Sequence, residues 1–176
     1  PAARPPVRGR LATQARSLDN SRLLTAALDT QSGNSGDRVI DEPMGEVVDV
    51  IGINNYCGWY YQDPENCVDV TWKNTFDKPM IMSEFGGGAL QGLHGEPNER
   101  WTEEYQENVY KYNIEMLKKI DFLAGTSPWI LMDFRSPRRH LKKIQKDFNR
   151  KGLISEQGER KKAFYTLQKY YNSINK

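Results

Sequence analysis

A chain of 176 residues can bury one core, and a formal charge of only +2 excludes a whole-chain attraction to nucleic acid. Two His and two Cys without a C-x-x-C exclude a recognisable zinc site, and no run of about 18 apolar residues exists to span a membrane. Cys57 and Cys67 are read as free thiols, with a disulfide across their loop as the alternative.

Residues 1–10, rich in Pro, Arg and Ala, read as a linker, an artificial scar or the torn end of a longer protein, and no secretory leader is visible there. From Leu11 to Lys176 the chain reads as one domain. Leu11–Leu18 predicts a short helix and Leu23–Leu28 a buried strand, followed by a loop of Ser, Gly, Asn and Asp over 30–37. Val47–Ile53 is a near-continuous apolar run, the pattern of a parallel strand covered on both faces. It ends in Asn54-Asn55-Tyr56-Cys57-Gly58-Trp59-Tyr60-Tyr61, which sets amides and aromatic rings at the strand's lip. Residues 63–74 read as loop with one helical turn, and Pro79–Met82 as a third strand. Between Trp101 and Ile120, Tyr105, Val109, Tyr112 and Met116 recur at helical spacing. Glu103 and Glu104 suit the positive end of that helix's dipole. Gly125-Thr126-Ser127-Pro128 breaks the chain, and Trp129–Met132 reads as the fourth strand. A long basic loop then runs to Lys151, and Arg160–Ile174 reads as the last helix. Strands alternating with helices or loops predict an α/β fold with a parallel sheet. A complete (β/α) barrel has eight strands in ~250 residues, so this chain reads as about half of one. Its two open strand edges predict a homo-oligomer or pairing with the missing half.

The stretch with most chemistry is Lys78–Gly92. Its apolar strand stops at Ser83-Glu84-Phe85, and three glycines follow. A carboxylate at the C-terminal lip of a buried strand costs free energy unless something pairs or uses it, and that lip is where barrel enzymes do chemistry. The glycines permit a sharp turn and leave room for a ligand. The alternative is an exposed Glu at a loose turn. The run is not a dinucleotide fingerprint, because the position that G-x-G-x-x-G would fill with glycine is Gln91. Charge is also uneven. Arg135–Lys176 holds 13 Lys and Arg against 3 Asp and Glu, a net of +10 that leaves −8 for the rest. This attracts anionic groups; a solvated helix face accounts for most of those lysines, and an RNA-binding tail would rest on charge alone.

Six pieces in order resemble family 2 glycoside hydrolases, and within them most closely the β-glucuronidases, from about Leu11 to Tyr171. They are N-x-Y-x-G-W-Y at Asn54–Tyr60, K-P-x-I-x-S-E-F-G at Lys78–Gly86, A-L-x-G-L-H at Ala89–His94, W-T-E-E-Y-Q at Trp101–Gln106, W-x-x-x-D-F at Trp129–Phe134 and N-x-K-G at Asn149–Gly152. The resemblance implies the second half of a catalytic barrel and hydrolysis of a terminal β-glycoside, with a carbohydrate as partner. It implies no metal or organic cofactor, no nucleic acid and no membrane. It makes Glu84 the nucleophile, Tyr56 its hydrogen-bond donor, Trp129 the floor of the sugar subsite, and Asn149 and Lys151 the readers of a uronate carboxylate. Asn55 and Tyr60 become further substrate contacts. The bland alternatives are a core Trp129 and a solvated Lys151. A retaining glycosidase needs two carboxyl groups roughly 5 Å apart, and the family's acid/base Glu follows an Asn in sequence before this chain begins. Asn98-Glu99 has that dipeptide but precedes the long helix and reads as a solvated helix start. Glucuronidases carry a polar residue where this chain has Ile130, which opens a galacturonide or galactoside as the substrate. A non-catalytic carbohydrate-binding or structural fragment is the rival reading.

Overall fold

The structure is a computed structural model and describes residues 7–33 and 37–174. In chain order its elements are α1 (Val7–Leu18), β1 (Thr25–Leu28), β2 (Gln31–Ser32), β3 (Arg38–Ile40), β4 (Val50–Asn54), β5 (Trp72–Asn74), β6 (Met80–Glu84), α2 (Glu103–Leu117), β7 (Leu123–Thr126), β8 (Phe134–Arg135), β9 (Phe148–Asn149) and α3 (Lys162–Ile174). Short 3-10 helices lie at Pro43–Glu46 and Pro64–Asp69. Helix α1 begins at Val7, inside the stretch read as linker; the rest of that expectation, Pro1–Pro6, lies outside the described residues. No helix among the described residues is long and apolar enough to cross a membrane.

The chain forms two compact units. One holds the described residues up to Asn54 with Val70–Ser83 and Ile120–Thr126, and the other holds Asn55–Asp69, Glu84–Lys119 and everything described from Ser127 on. The first unit carries a four-stranded sheet in the order β1-β4-β6-β7. Thr25–Leu28 runs parallel to Val50–Ile53, and Met80–Met82 runs parallel to Leu123–Thr126. Ile51 N–H donates to Pro79 O at 2.9 Å and joins the middle strands. The expectation of an α/β parallel sheet holds, and the apolar run at Val50–Ile53 is buried throughout because the strand is covered on both faces.

The fourth strand is not Trp129–Met132. It is Leu123–Thr126, which lacks an apolar run: Gly125 and Thr126 are half-buried and Ala124 is exposed. Trp129–Met132 instead makes an isolated bridge, Met132 beside Ile154, with Trp129 N–H donating to Phe85 O and Ile130 N–H to Lys151 O. A small sheet in the order β2-β3-β5 was also not foreseen, since its strands are two or three residues long and two of them, β2 and β5, sit in segments read as loop. The basic loop is likewise not featureless: β8 and β9 pair antiparallel across it, Phe134 opposite Asn149.

In the second unit, α2 is the scaffold. Thr102 caps it by accepting from Tyr105 N–H at 3.1 Å. Its buried face is wider than the sequence stripe, because Gln106, Tyr110 and Asn113 face inward alongside Tyr105, Val109 and Met116. Cys57 and Cys67 are not free thiols but a disulfide, with Cα atoms 5.8 Å apart. The 3-10 helix Pro64–Asp69 carries Cys67 back to Cys57, a return that ten residues of loop-like sequence do not announce.

Candidate functional site

Three segments of the second unit form the candidate site, and α2 pins each of them. The first is the lip Asn55–Tyr61. Tyr105 Oη donates to Gly58 O at 2.7 Å and Asn113 Nδ2 to Cys57 O at 3.0 Å, while the disulfide closes the far side. The second is the end of β6 with its glycines. Gly86 has φ 127°, and any side chain there would collide with the Tyr110 hydroxyl, so only glycine fits. The third is Asn149–Gly152. Gln106 Nε2 holds the last two segments together by donating to Gly87 O at 2.9 Å and to Gly152 O at 3.0 Å.

Glu84 stands half-buried at the end of β6 and accepts from Tyr56 Oη at 2.6 Å. Burial and the adjacent carboxylate both push the Tyr56 phenol up, so it keeps its proton and remains a donor to Glu84. Asn55 N–H donates to Glu84 O at 2.8 Å and fixes the lip to the strand end. The Asn55 side chain is buried and its oxygen accepts from the Tyr61 hydroxyl; its Nδ2 has no hydrogen-bond partner among the described residues.

Lys151 forms the second cluster. It is 5% exposed, and its Nζ donates to Tyr60 Oη at 2.8 Å. Nζ also lies 4.7 Å from the Tyr60 ring centroid, 5.3 Å from that of Trp59 and 5.4 Å from that of Tyr56, an aromatic cage around one cation. Burial lowers the Lys151 ammonium below the ordinary lysine range, against the stabilising contact with Tyr60. Burial pushes the Tyr60 phenol up, but Lys151 and Arg139 outweigh it and bring it down. Asn149 is buried, and its Oδ1 accepts from Lys151 N–H at 3.1 Å. The Tyr56 ring thus touches both clusters: its hydroxyl serves Glu84 and its face meets Lys151.

Of the expected residues, the structure brings Tyr56 to Glu84, and Tyr60 and Asn149 to Lys151. Trp129 is half-buried, held to Phe85 O through its N–H, and its ring packs edge-on against Phe134 at 6.2 Å. Glu99 is exposed in the turn before α2, and its carbonyl accepts from the Thr102 hydroxyl.

Sequence reasoning missed two features. Beneath the site lies a buried ion cluster. Lys161 Nζ, fully buried, donates to both Asp133 oxygens at 2.9 and 3.0 Å and to Ala89 O at 2.7 Å. Arg150 adds a contact to Asp133 at 3.2 Å and another to Glu156. Burial drives Asp133 up and Lys161 down, and the mutual contacts oppose it. This cluster ties the Asn149–Lys151 segment to the glycine turn. The second feature is a cavity of about 230 Å³ lined by Asn149, Lys151, Tyr60 and Trp59, with Arg100 and Arg139 also on its wall. A larger apolar groove of about 540 Å³, between Ser127–Leu131 and α3, has no convergent charged groups and lies apart from these residues.

Residues 8–176 match the family described as glycosyl hydrolases family 2, TIM barrel domain. The chain is similar to the β-glucuronidase of Paenibacillus borealis, 31% identical over 140 residues that cover 74% of this chain and 23% of the relative. Among solved structures it is similar to the β-D-glucuronidase of Dictyoglomus thermophilum, with a TM-score of 0.73 and 26% identity over 92% of this chain and 28% of that one. A family 2 β-galacturonidase from Eisenbergiella tayi, bound to galacturonate, gives a TM-score of 0.74 at 20% identity over 94% and 30% of the two chains, a likeness of fold. The chain spans about a quarter of the length of the curated relatives it matches.

Proposed function

The chain belongs to the family 2 glycosyl hydrolases, as part of their TIM-barrel domain, and on that premise we propose that it comes from a retaining exo-β-glycosidase acting on terminal β-uronides, β-glucuronides first, with Glu84 as nucleophile. One observation carries the reading: a buried lysine, caged by aromatic rings and flanked by Asn149, shares Tyr56 with a carboxylate at a strand end. A cation and an amide are what a sugar carboxylate needs, and the carboxylate at the lip is what an anomeric carbon needs.

In this reading a Glu84 oxygen attacks the anomeric carbon as the bond to the leaving oxygen breaks, giving a covalent glycosyl-enzyme that water then hydrolyses. Tyr56 orients the attacking carboxylate by donating its hydroxyl to it. The leaving oxygen takes its proton from a second carboxyl group, which the family resemblance places in sequence before Pro1. The chain alone is therefore catalytically inert. Lys151 and Asn149 hold the uronate, with Tyr60 completing the donor set. The names of the curated relatives favour glucuronate over galacturonate.

In the full-length protein, Glu84→Gln abolishes turnover of a fluorogenic β-glucuronide while glucuronate still binds. Turnover that survives the substitution overturns the assignment.

A further inference from the structure

The cavity beside Lys151 contains two guanidinium groups that the uronide reading leaves unused. Arg100 lies over the Trp59 ring, 4.2 Å from its centroid, and its Nη1 donates to Trp59 O at 3.0 Å. This fixes the plane of the group and uses one of its five N–H donors there. Arg139 enters from the turn after β8, where its own N–H donates to Ser136 O and its carbonyl accepts from Asp147. Its charge acts on both the Tyr60 oxygen and the Lys151 ammonium. Arg150 is also on the wall, but Asp133 and Glu156 match it.

No Asp or Glu is among the described residues lining this space. Arg100, Arg139 and Lys151 therefore converge on about 230 Å³ without a facing carboxylate. One sugar carboxylate neutralises one of the three charges. The other two would then stand on the cavity wall, Arg100 exposed and Arg139 half-buried, without an anionic partner among the described residues that line it, and like charges so placed repel. Glu84 does not line the cavity, so the excess charge lies on the Lys151 side and away from the carboxylate that would attack the anomeric carbon. What completes the charge balance belongs to the sugar that is being released, and not to its leaving group.

We propose that this cavity reads two oxyanions on one sugar: the uronate carboxylate at Lys151 and Asn149, and a sulfate ester on the same ring at Arg139 and Arg100. The inference rests on the uronide reading. Planar guanidinium forks match the paired oxygens of a sulfate, whereas lysine offers only a point charge. The substrate class is accordingly a sulfated uronide at the non-reducing end of an acidic glycan.

The test is calorimetric titration of the 176-residue chain at low salt. Three probes are used: glucuronate, glucuronate 3-sulfate, and a β-linked disaccharide whose sulfate sits on the second sugar. The sulfated uronate is expected to bind about tenfold more tightly than glucuronate, and the disaccharide no more tightly than glucuronate. In Arg139→Gln the ratio collapses to about one, and in Arg138→Gln, an exposed neighbour outside the cavity, it persists. A ratio near one in the native chain, with glucuronate bound, refutes this inference and leaves the uronide reading intact. A ratio that survives Arg139→Gln also refutes it. Tight binding of the disaccharide instead assigns the second oxyanion to the leaving group and overturns the proposal. Failure of every probe to bind removes both readings. The native-chain ratio decides the matter even if a variant does not fold.

Discussion

Replacing Lys151 by Met should move activity and stability in opposite directions. Met keeps an unbranched apolar stem and removes the charge. In the unliganded molecule that charge is buried beside a neutral phenol and three ring faces, with no carboxylate among the described residues lining its cavity. Burying an ion without a counter-ion costs several kcal/mol even after relaxation. The hydrogen bond and the cation–π contacts return roughly 1–2 kcal/mol. The balance predicts that Lys151→Met stabilises the chain by about 1 kcal/mol or more, a rise of at least ~2–4 °C in Tm. With a uronide bound, the same charge gains a direct anionic partner. Losing a charge-assisted hydrogen bond of about 1.5–3 kcal/mol lowers kcat/KM roughly ten- to a hundredfold. A β-glucoside has no carboxylate to lose and should fall less than about threefold. The assay is a thermal melt of this chain, paired with kcat/KM on matched fluorogenic glucuronide and glucoside in the full-length protein. Equal losses on the two substrates together with a lowered Tm would make Lys151 an ordinary structural lysine and refute the argument.

Two further outcomes follow from the buried charges. Asp133→Asn leaves Lys161 and Arg150 without their shared carboxylate and should cost about 3–5 kcal/mol in urea unfolding of the chain; a loss under about 1 kcal/mol would show the cluster relaxes easily. Burial sets the Lys151 ammonium below its unfolded value, so the penalty for keeping it charged is present at neutral pH and lifts as pH rises through the folded value towards roughly 10.4. Uronide recognition needs the charged form and runs the other way: kcat/KM for the glucuronide should fall on the alkaline side earlier than for the glucoside, and a shared alkaline limb would contradict this.

What the sequence disclosed follows from which signals are local. The buried strand at Val50–Ile53 announces itself because coverage on both faces demands an unbroken apolar run. Helix α2 does so because its stripe repeats at helical spacing. Leu123–Thr126 was hidden because its residues are only partly buried, while Trp129–Met132 has a strand's apolar run yet makes an isolated bridge, Met132 beside Ile154. The pairs Tyr56–Glu84 and Tyr60–Lys151 join residues 28 and 91 positions apart, and only the family resemblance suggested that they belong to one site. Nothing local tells Lys161, fully buried, from the exposed Lys162 beside it. Arg139 is one cation in a basic run, and its entry into the cavity depends on the β8–β9 pairing that no short pattern reveals.

The claim at the centre is that Glu84 attacks the anomeric carbon. The most direct measurement is to treat the full-length protein with a 2-deoxy-2-fluoro-glucuronosyl fluoride, whose glycosyl-enzyme hydrolyses slowly, and to locate the adduct by tandem mass spectrometry. The account predicts a single label on Glu84 and none in Glu84→Gln. A label on Glu99 or Glu104, or an active enzyme that takes no label, would contradict it.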